Sequence, residues 1–375
     1  PRISQELVPD IVQTLRSFFG NRETRAYLVG GTVRDTILGR ETGDVDIAVE
    51  DEPAQVATLL ASRLGLKAHC LDQERRFFRL SHHGSPTWID INPISNSIYD
   101  DLARRDFTID AMAIPLTTSG DQAIIDPHGG ATDIAKREIR AISSKVFKDD
   151  PVRLFRSIRL AANLDFRLEM KTRSWIKENP SMILSVSPER IRDELLKLLS
   201  ATSSTKWLRE LDNLGLLSVI IPEIECLRGV VQPKEHYWDV FNHCIETPGK
   251  IEQILQSPDE INTTKLGTLR EWTNIDQYFA RHASDGHSRL NLLKLAGLLH
   301  DISKPKTKTI EPTGRIRFFG HHTAGSKVAK GILSRLRFSK AGVDLVGTMI
   351  AHHLRPGQMA EKWKLPTDRA VYRFH

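Results

Sequence analysis

Apolar residues recur at helical spacing over residues 7–19, where Leu7, Val8, Ile11, Leu15, Phe18 and Phe19 predict an amphipathic helix. The run Tyr27-Leu28-Val29 predicts a short strand, Gly30-Gly31 a sharp turn, and Thr32 to Leu38 a helix leaving that turn. Val45, Ile47 and Val49 alternate with Asp44, Asp46 and Ala48, the period of two that marks a strand. A helix over 53–64 and strands near 75–81 and 87–91 complete a small α/β pattern. Beyond residue 140 the strand signal fades. Asp150-Pro151 and Ser187-Pro188 each place a capping side chain before a first-turn proline. Leu195, Leu196, Leu198 and Leu199 then supply the apolar face of the second helix. Most of 141–375 reads as helical, with loops at 256–268 and at 303–320, the latter holding Pro305, Pro312 and Gly314. The pattern predicts an α+β protein with an α/β head over 1–140, a helical neck over 141–230 and a helical body over 231–375.

Composition narrows the partners. The chain has 375 residues, long enough for two or three domains, and its 40% hydrophobic and 27% charged residues exclude an extended disordered chain. A net charge of +6 favours a polyanionic partner without identifying it. Cys70, Cys226 and Cys244 are odd in number and lack zinc-knuckle spacing, so structural disulfides are not expected. No 18-residue apolar run and no signal-peptide pattern is present, so a cytoplasmic protein with no membrane partner is expected. The chain starts at Pro1 and stops at His375, and both ends are expected to be incomplete. Oligomeric state is not readable.

The central chemical signal is Gly30-Gly31 with Arg34-Asp35, followed by Asp44-Val45-Asp46. Residues i and i+2 of a strand share a face, so Asp44 and Asp46 project side by side while Val45 and Ile47 enter the core. Two aligned carboxylates call for a compensating cation, and Mg2+ takes hard oxygen ligands together with phosphate. Gly30 and Gly31 let the backbone approach a triphosphate, and the helix that follows offers N–H groups to it. The pair is not a P-loop, because no Gly-Lys-Ser/Thr follows. Asp90 in Ile89-Asp90-Ile91 is either a third catalytic carboxylate that polarises an attacking hydroxyl or a hydrogen-bonded strand aspartate. Arg104 and Arg105 offer planar donors to phosphate, and Asp106 can hold an arginine or accept from a ribose hydroxyl. In Asp149-Asp150-Pro151-Val152-Arg153, Asp150 and Arg153 lie three apart, an acceptor and a donor suited to the edge of a base. Arg156 and Arg159 continue that face toward phosphates.

Taken in order, these segments resemble the class II tRNA nucleotidyltransferases and bacterial poly(A) polymerases over roughly residues 10–245. The resemblance implies a polymerase-beta-like head in which Asp44 and Asp46 bind magnesium. It implies that Arg104, Arg105 and Asp106 contact the nucleotide sugar and phosphate, and that Asp150 and Arg153 select CTP and ATP. Ser187 to Glu194 resembles the helix supporting that pocket. Asp110 stands where the family usually has asparagine, and Asp149 where it usually has glutamate. Many CCA-adding members carry a long loop before the arginine pair, whereas only Ile91 to Ala103 separates Asp90 from Arg104 here. Members that add only two cytidines resemble this shortened form.

A second constellation follows. His243, His300-Asp301, His321-His322 and His352-His353, with Lys304 nearby, resemble an HD phosphohydrolase domain over about 235–355. A second divalent or transition-metal site is expected from His243, His300, Asp301, His321, His322 and His352. Such a domain usually ends on a further aspartate, for which Asp344 and Asp368 are candidates, or the ligand lies past His375. The resemblance thus implies template-independent, two-metal-ion addition of CTP-derived nucleotides to the 3′ end of tRNA. Addition of ATP-derived nucleotides stays open. The alternatives are a CC-adding enzyme lacking efficient ATP addition, a poly(A) polymerase, and an HD-domain phosphohydrolase whose head binds RNA.

Overall fold

The computed structural model describes residues 10–20, 22, 24–40, 44–81, 88–116, 123–233, 237–256, 274–359, 367 and 369. It divides into two compact units, residues 1–153 with 165–175, and residues 154–164 with 176–375.

In the first unit, α1 (Asp10–Gly20) buries Val12, Leu15, Phe18 and Phe19. Six strands form one sheet: β1 (Ala26–Val29), β2 (Asp44–Val49), β3 (Lys67–Asp72), β4 (Phe77–Ser81), β5 (Trp88–Pro93) and β6 (Ala113–Pro115). Their order is β3-β4-β5-β2-β1-β6. The β2–β5 pair is parallel and the other pairs are antiparallel. Connecting these strands are α2 (Gly31–Ile37), α3 (Pro53–Leu64) and α4 (Ile98–Ala103). Val45, Ile47, Ile89 and Ile91 are buried on one face. Side-chain alternation turns Asp44, Asp46 and Asp90 to the other. On that second face Ile98 and Leu102 of α4 pack with Ala48, Val29, Ile94 and Ala113, leaving the carboxylates toward the start of β2.

Two strands depart from expectation. β3 carries no alternation to read, because five of its six residues are exposed on an edge of the sheet. β6 is only three residues long. Downstream, Asp126 caps α5 (Gly130–Lys136) by accepting from Gly130 N at 2.7 Å and Ala131 N at 3.0 Å. A Cβ at Gly130 would meet the Thr108 carbonyl oxygen at 2.1 Å, so this turn is scaffold that requires glycine. β7 (Glu138–Ile139) pairs in parallel with β8 (Arg167–Leu168). After α6 (Lys145–Asp149), α7 (Val152–Leu164) and α8 (Met170–Glu178) run from the first unit into the second.

The second unit is built from helices: α9 (Pro188–Ser200), α10 (Ser204–Asn213), α11 (Leu216–Ile220), α12 (Val240–Gln256), α13 (Ile275–Ala280), α14 (Arg289–Leu299), α15 (His321–Arg335), α16 (Lys340–His352) and α17 (Arg355–Met359). α14 is buried on nearly every side by α9, α12 and α16. Inside this packing Lys294 donates to Glu252 at 2.6 Å and to the Leu199 carbonyl at 2.7 Å, which satisfies a carbonyl of the last turn of α9. Short antiparallel pairs interrupt the helices: β9 (His282–Ser284) with β10 (His287–Ser288), and β11 (Lys308–Ile310) with β12 (Ile316–Phe318). The expected loop at 303–320 is therefore corrected to a hairpin, whose three-residue strands are too short to show a period. Beyond Gln256, the expected loop at 256–268 lies outside the described residues, as does Asp368.

Candidate active site and metal centre

Gly30 sits between β1 and α2 at φ +65° and ψ −139°, a conformation open to glycine alone. A Cβ there would lie 3.0 Å from an Arg105 guanidinium nitrogen and 3.1 Å from Asp46 Oδ2. The turn thus brings bare backbone against the carboxylate. Thr32, in the first turn of α2, accepts from Asp46 N at 2.8 Å and fixes the strand to the helix. The parallel register sets Asp46 directly beside Asp90 and Asp44 beside Trp88. Arg79 on β4, opposite Asp90, grips both of its carboxylate oxygens at 2.7 Å while lying 4.3 Å over the Trp88 ring. Arg79 is a residue that sequence reasoning missed, since only the β4–β5 register pairs it with Asp90.

Electrostatics mark the same spot. Burial, and then the charge of Asp90, push the Asp46 carboxyl up to about 6 against the pull of Arg105, with Asp110 and Asp44 adding to the rise. Asp44 is raised by burial and Asp90, opposed by Arg79. Arg34 stays firmly protonated: burial works against its charge, but Asp110 at 2.7 Å and Asp35 at 2.9 Å outweigh it. The second oxygen of Asp110 is buried without a hydrogen-bond partner. Arg105 pairs with Asp101 at 2.9 Å and donates to the Asp110 carbonyl at 3.3 Å. Arg104 is exposed and donates to the Asp100 carbonyl, while the buried Asp106 accepts from Phe107 N. Asp44, Asp46, Asp90 and Arg105 are therefore brought together with Gly30. The clustered carboxylate oxygens of Asp44, Asp46 and Asp90 fit a hard divalent cation.

Asp150 is not on the face of α7. It precedes the helix, and its carboxylate accepts from Val152 N at 3.3 Å as a cap. Arg153 donates to the Val146 carbonyl at 3.2 Å. Arg159 is held by Glu194 of α9 at 2.6 Å, so the helix beginning at Ser187-Pro188 fixes this arginine. Arg156 is half-buried on the same helix.

In the second unit, Asp301 follows α14 and is 1% exposed. Around it stand His243 of α12, His300, His321 at the start of α15 and His353 after α16. The Nε2 atoms of His300 and His243 lie 3.0 and 3.4 Å from Asp301 Oδ2, and those of His321 and His353 lie 3.2 and 3.8 Å from Oδ1. Lys304 joins Oδ2 at 2.7 Å and Gln232 at 2.6 Å. Two triads within metal-ligating reach result, His243-His300-Asp301 and Asp301-His321-His353. His322 and His352, expected as ligands, are outside both triads. One residue along a helix turns a side chain by about 100°, and this sends the His353 ring inward and leaves His352 exposed. His322 has a buried Nδ1 without a hydrogen-bond partner. Asp344 is surface-exposed and paired with Lys330 at 3.0 Å. A cavity of about 580 Å³ opens over the cluster, lined also by Lys304, Arg315, Arg317 and Phe318.

A mixed sheet with clustered carboxylates beside a glycine turn, followed by helices and a histidine–aspartate centre, defines a nucleotidyl-transferring head joined to an HD-type domain. Residues 26–140 match the poly A polymerase head domain, residues 165–227 the "Probable RNA and SrmB- binding site of polymerase A", and residues 240–373 the HD domain. Over 335 residues the chain is 32% identical to an A-adding tRNA nucleotidyltransferase of Deinococcus radiodurans, covering 88% of this chain and 68% of that one. Over 356 residues it is 30% identical to a CC-adding tRNA nucleotidyltransferase of Thermus thermophilus, covering 93% and 71%. The Thermotoga maritima CCA-adding enzyme complexed with tRNA shares the fold, with a TM-score of 0.65 at 21% identity over 100% of this chain and 81% of that one. The chain belongs to the tRNA nucleotidyltransferase family and is a nucleotidyltransferase. Among the described residues no helix is long and apolar enough to cross a membrane.

Proposed function

We propose that this chain adds cytidylate residues from CTP to the 3′ end of tRNA and stops before the terminal adenosine. The observation that carries the reaction is the gathering of Asp44, Asp46 and Asp90 against the bare backbone of Gly30. Asp44 and Asp46 would hold Mg2+, which when bound activates the 3′ hydroxyl and stabilises the departing pyrophosphate. Gly30 leaves room for the triphosphate beside Asp46, and Arg104 and Arg105 meet its charge. Asp90, with both oxygens on Arg79, acts by charge and position beside Asp46 and is not a free base. Asp150 and Arg153 read the base edge, one accepting and one donating, and Arg159 keeps its place through Glu194.

The stop after two residues rests on the chain between Asp90 and Arg104. β5 runs to Pro93 and α4 begins at Ile98, so four residues of irregular chain are left there. Cytosine and adenine differ in size and in hydrogen-bonding edge, so a pocket that accepts both must move. A long tethered loop could drive that shift, and this connection has no length for one. The relatives named for CC addition and for A addition both match closely, so similarity alone does not choose between them. The test is tRNA lacking its 3′ terminus, incubated with CTP, with ATP and with both. A product two residues longer, unchanged when ATP is added, is expected. A third residue would mean full CCA addition, and elongation past three with ATP alone would mean a poly(A) polymerase. For the second unit we read a metal-dependent phosphate-ester hydrolase, favoured by Lys304, Arg315 and Arg317 lining the cavity over Asp301.

A further inference from the structure

Asp110 closes the single turn Thr108–Asp110 and is 4% exposed. It meets both arginines that lie against the glycine turn. Its Oδ1 accepts from Arg34 at 2.7 Å, and its main-chain carbonyl accepts from Arg105 at 3.3 Å. A Cβ at Gly31 would lie 3.2 Å from Arg34, and one at Gly30 would lie 3.0 Å from Arg105 and 3.1 Å from Asp46 Oδ2. Only the Arg105 guanidinium and this bare backbone therefore separate Asp110 from the carboxylate site. Its charge is poorly compensated. Arg34 gives two N–H groups to Asp35, at 2.9 and 3.0 Å, and only one to Asp110. Each arginine already serves another carboxylate, Asp35 or Asp101. Asp110 Oδ2 is buried without a hydrogen-bond partner. A buried carboxylate in this state destabilises the fold until a further cation stands near it. Burial and then Asp90 raise the Asp46 carboxyl, and Asp110 adds to that rise, so the two carboxylates act on one another.

We propose that Asp110 sets the cation affinity of the head without ligating the ion, its half-compensated charge being balanced when a divalent cation is held by Asp44 and Asp46. The inference rests on the proposed function, in which those two carboxylates hold Mg2+. Asp110 Oδ2 is closed to solvent, so the residue acts through space rather than by contact. A charge in a buried, water-poor position acts over several ångströms with little screening. The same charge has opposite effects in two states. With no cation present it opposes folding, and with one present it favours binding. Asparagine at this position keeps an acceptor for Arg34 and drops the charge. That separates the proposal from a plain salt bridge, whose loss would lower stability and leave cation affinity alone.

The test uses the full chain carrying His300→Ala and Asp301→Ala, so that Mn2+ binding followed by electron paramagnetic resonance reports the head alone. Asp110→Asn in this background should bind Mn2+ about tenfold more weakly, the effect of one weakly screened charge. Its thermal midpoint without metal should equal or exceed the parent's. The Mg2+ concentration giving half-maximal CTP incorporation should rise by the same factor. Asp35→Asn leaves Arg34 wholly to Asp110 and so cancels its charge from the exposed side. That variant should weaken Mn2+ binding by about two- to threefold, and it decides the matter where Asp110→Asn does not fold. Unchanged Mn2+ affinity in Asp110→Asn, or in Asp35→Asn where the first variant is unfolded, would overturn the inference and leave Asp110 a structural partner of Arg34. Asp46→Asn reports separately on the proposed function. Mn2+ binding by the parent that Asp46→Asn leaves intact would remove the cation site itself, whatever Asp110→Asn does.

Discussion

Asp46 occupies a position that repels its own charge. Half-buried and facing Asp90, with Asp110 and Asp44 near, its carboxyl is held up to about 6, and Arg105 offsets only part of this. The Mg2+ of the proposed function would relieve this repulsion. The Asp44-x-Asp46 spacing was readable from the sequence, because strand alternation alone places both on one face. Arg79 and the contact with Asp90 were not, since both depend on which strands become neighbours. His353 was displaced in the reading by its neighbour His352, because adjacent histidines on a helix cannot be told apart without knowing which side is packed. Asp150 and Arg153, proposed to read the base edge, give the residue-scale prediction. Asp150→Ala and Arg153→Ala should raise misincorporation of UTP and GTP by an amount corresponding to roughly 1–3 kcal/mol of discrimination, while slowing CTP addition less. Competition assays with paired nucleotides check this, and unchanged preference in both variants would place base reading elsewhere.

Elements carry these residues into position, and their anchoring can be tested separately. α16 delivers His353, and its start is tied down by Asp285 in the β9–β10 turn. Ser339 caps α16 by accepting from Gly342 N, and Asp285 accepts from Ser339 N at 3.0 Å with Arg192 at 3.5 Å. Burial alone would raise the Asp285 carboxyl, but hydrogen bonds from Ser284 and Ser339, with Arg192, hold it below its usual range. A carboxyl lowered on folding stabilises the protein above its unfolded pKa and loses that contribution as pH falls through the folded value. Asp285→Asn should therefore lower the thermal midpoint at pH 7, and its deficit against the parent should shrink below about pH 4. A deficit constant from pH 7 to pH 3 would show that the charge plays no part. Helices announced themselves through caps and apolar faces, as Ser187-Pro188 did for α9. The edge strand β3 and the hairpin of β11 and β12 did not, because exposed or three-residue strands bury too little to impose a pattern.

Across the whole molecule, the proposed function divides labour between chemistry and grip. The net charge of +6 supplies long-range attraction for a polyanion, distributed over many basic side chains. In the proposed function, nucleotide addition is the task of the carboxylates at the start of β2. Loss of one carboxylate should then stop nucleotide addition without releasing the RNA, and the histidine–aspartate centre should be dispensable for addition. The most direct test is to measure CTP incorporation and tRNA affinity on the same preparations of the parent, Asp44→Ala, Asp46→Ala, and His300→Ala with Asp301→Ala. The account predicts that Asp44→Ala and Asp46→Ala abolish incorporation at near-parental affinity and undiminished salt dependence, while the His300 and Asp301 variant still incorporates. Incorporation that survives loss of Asp44 and fails with loss of His300 and Asp301, or affinity that falls in step with activity, would contradict it.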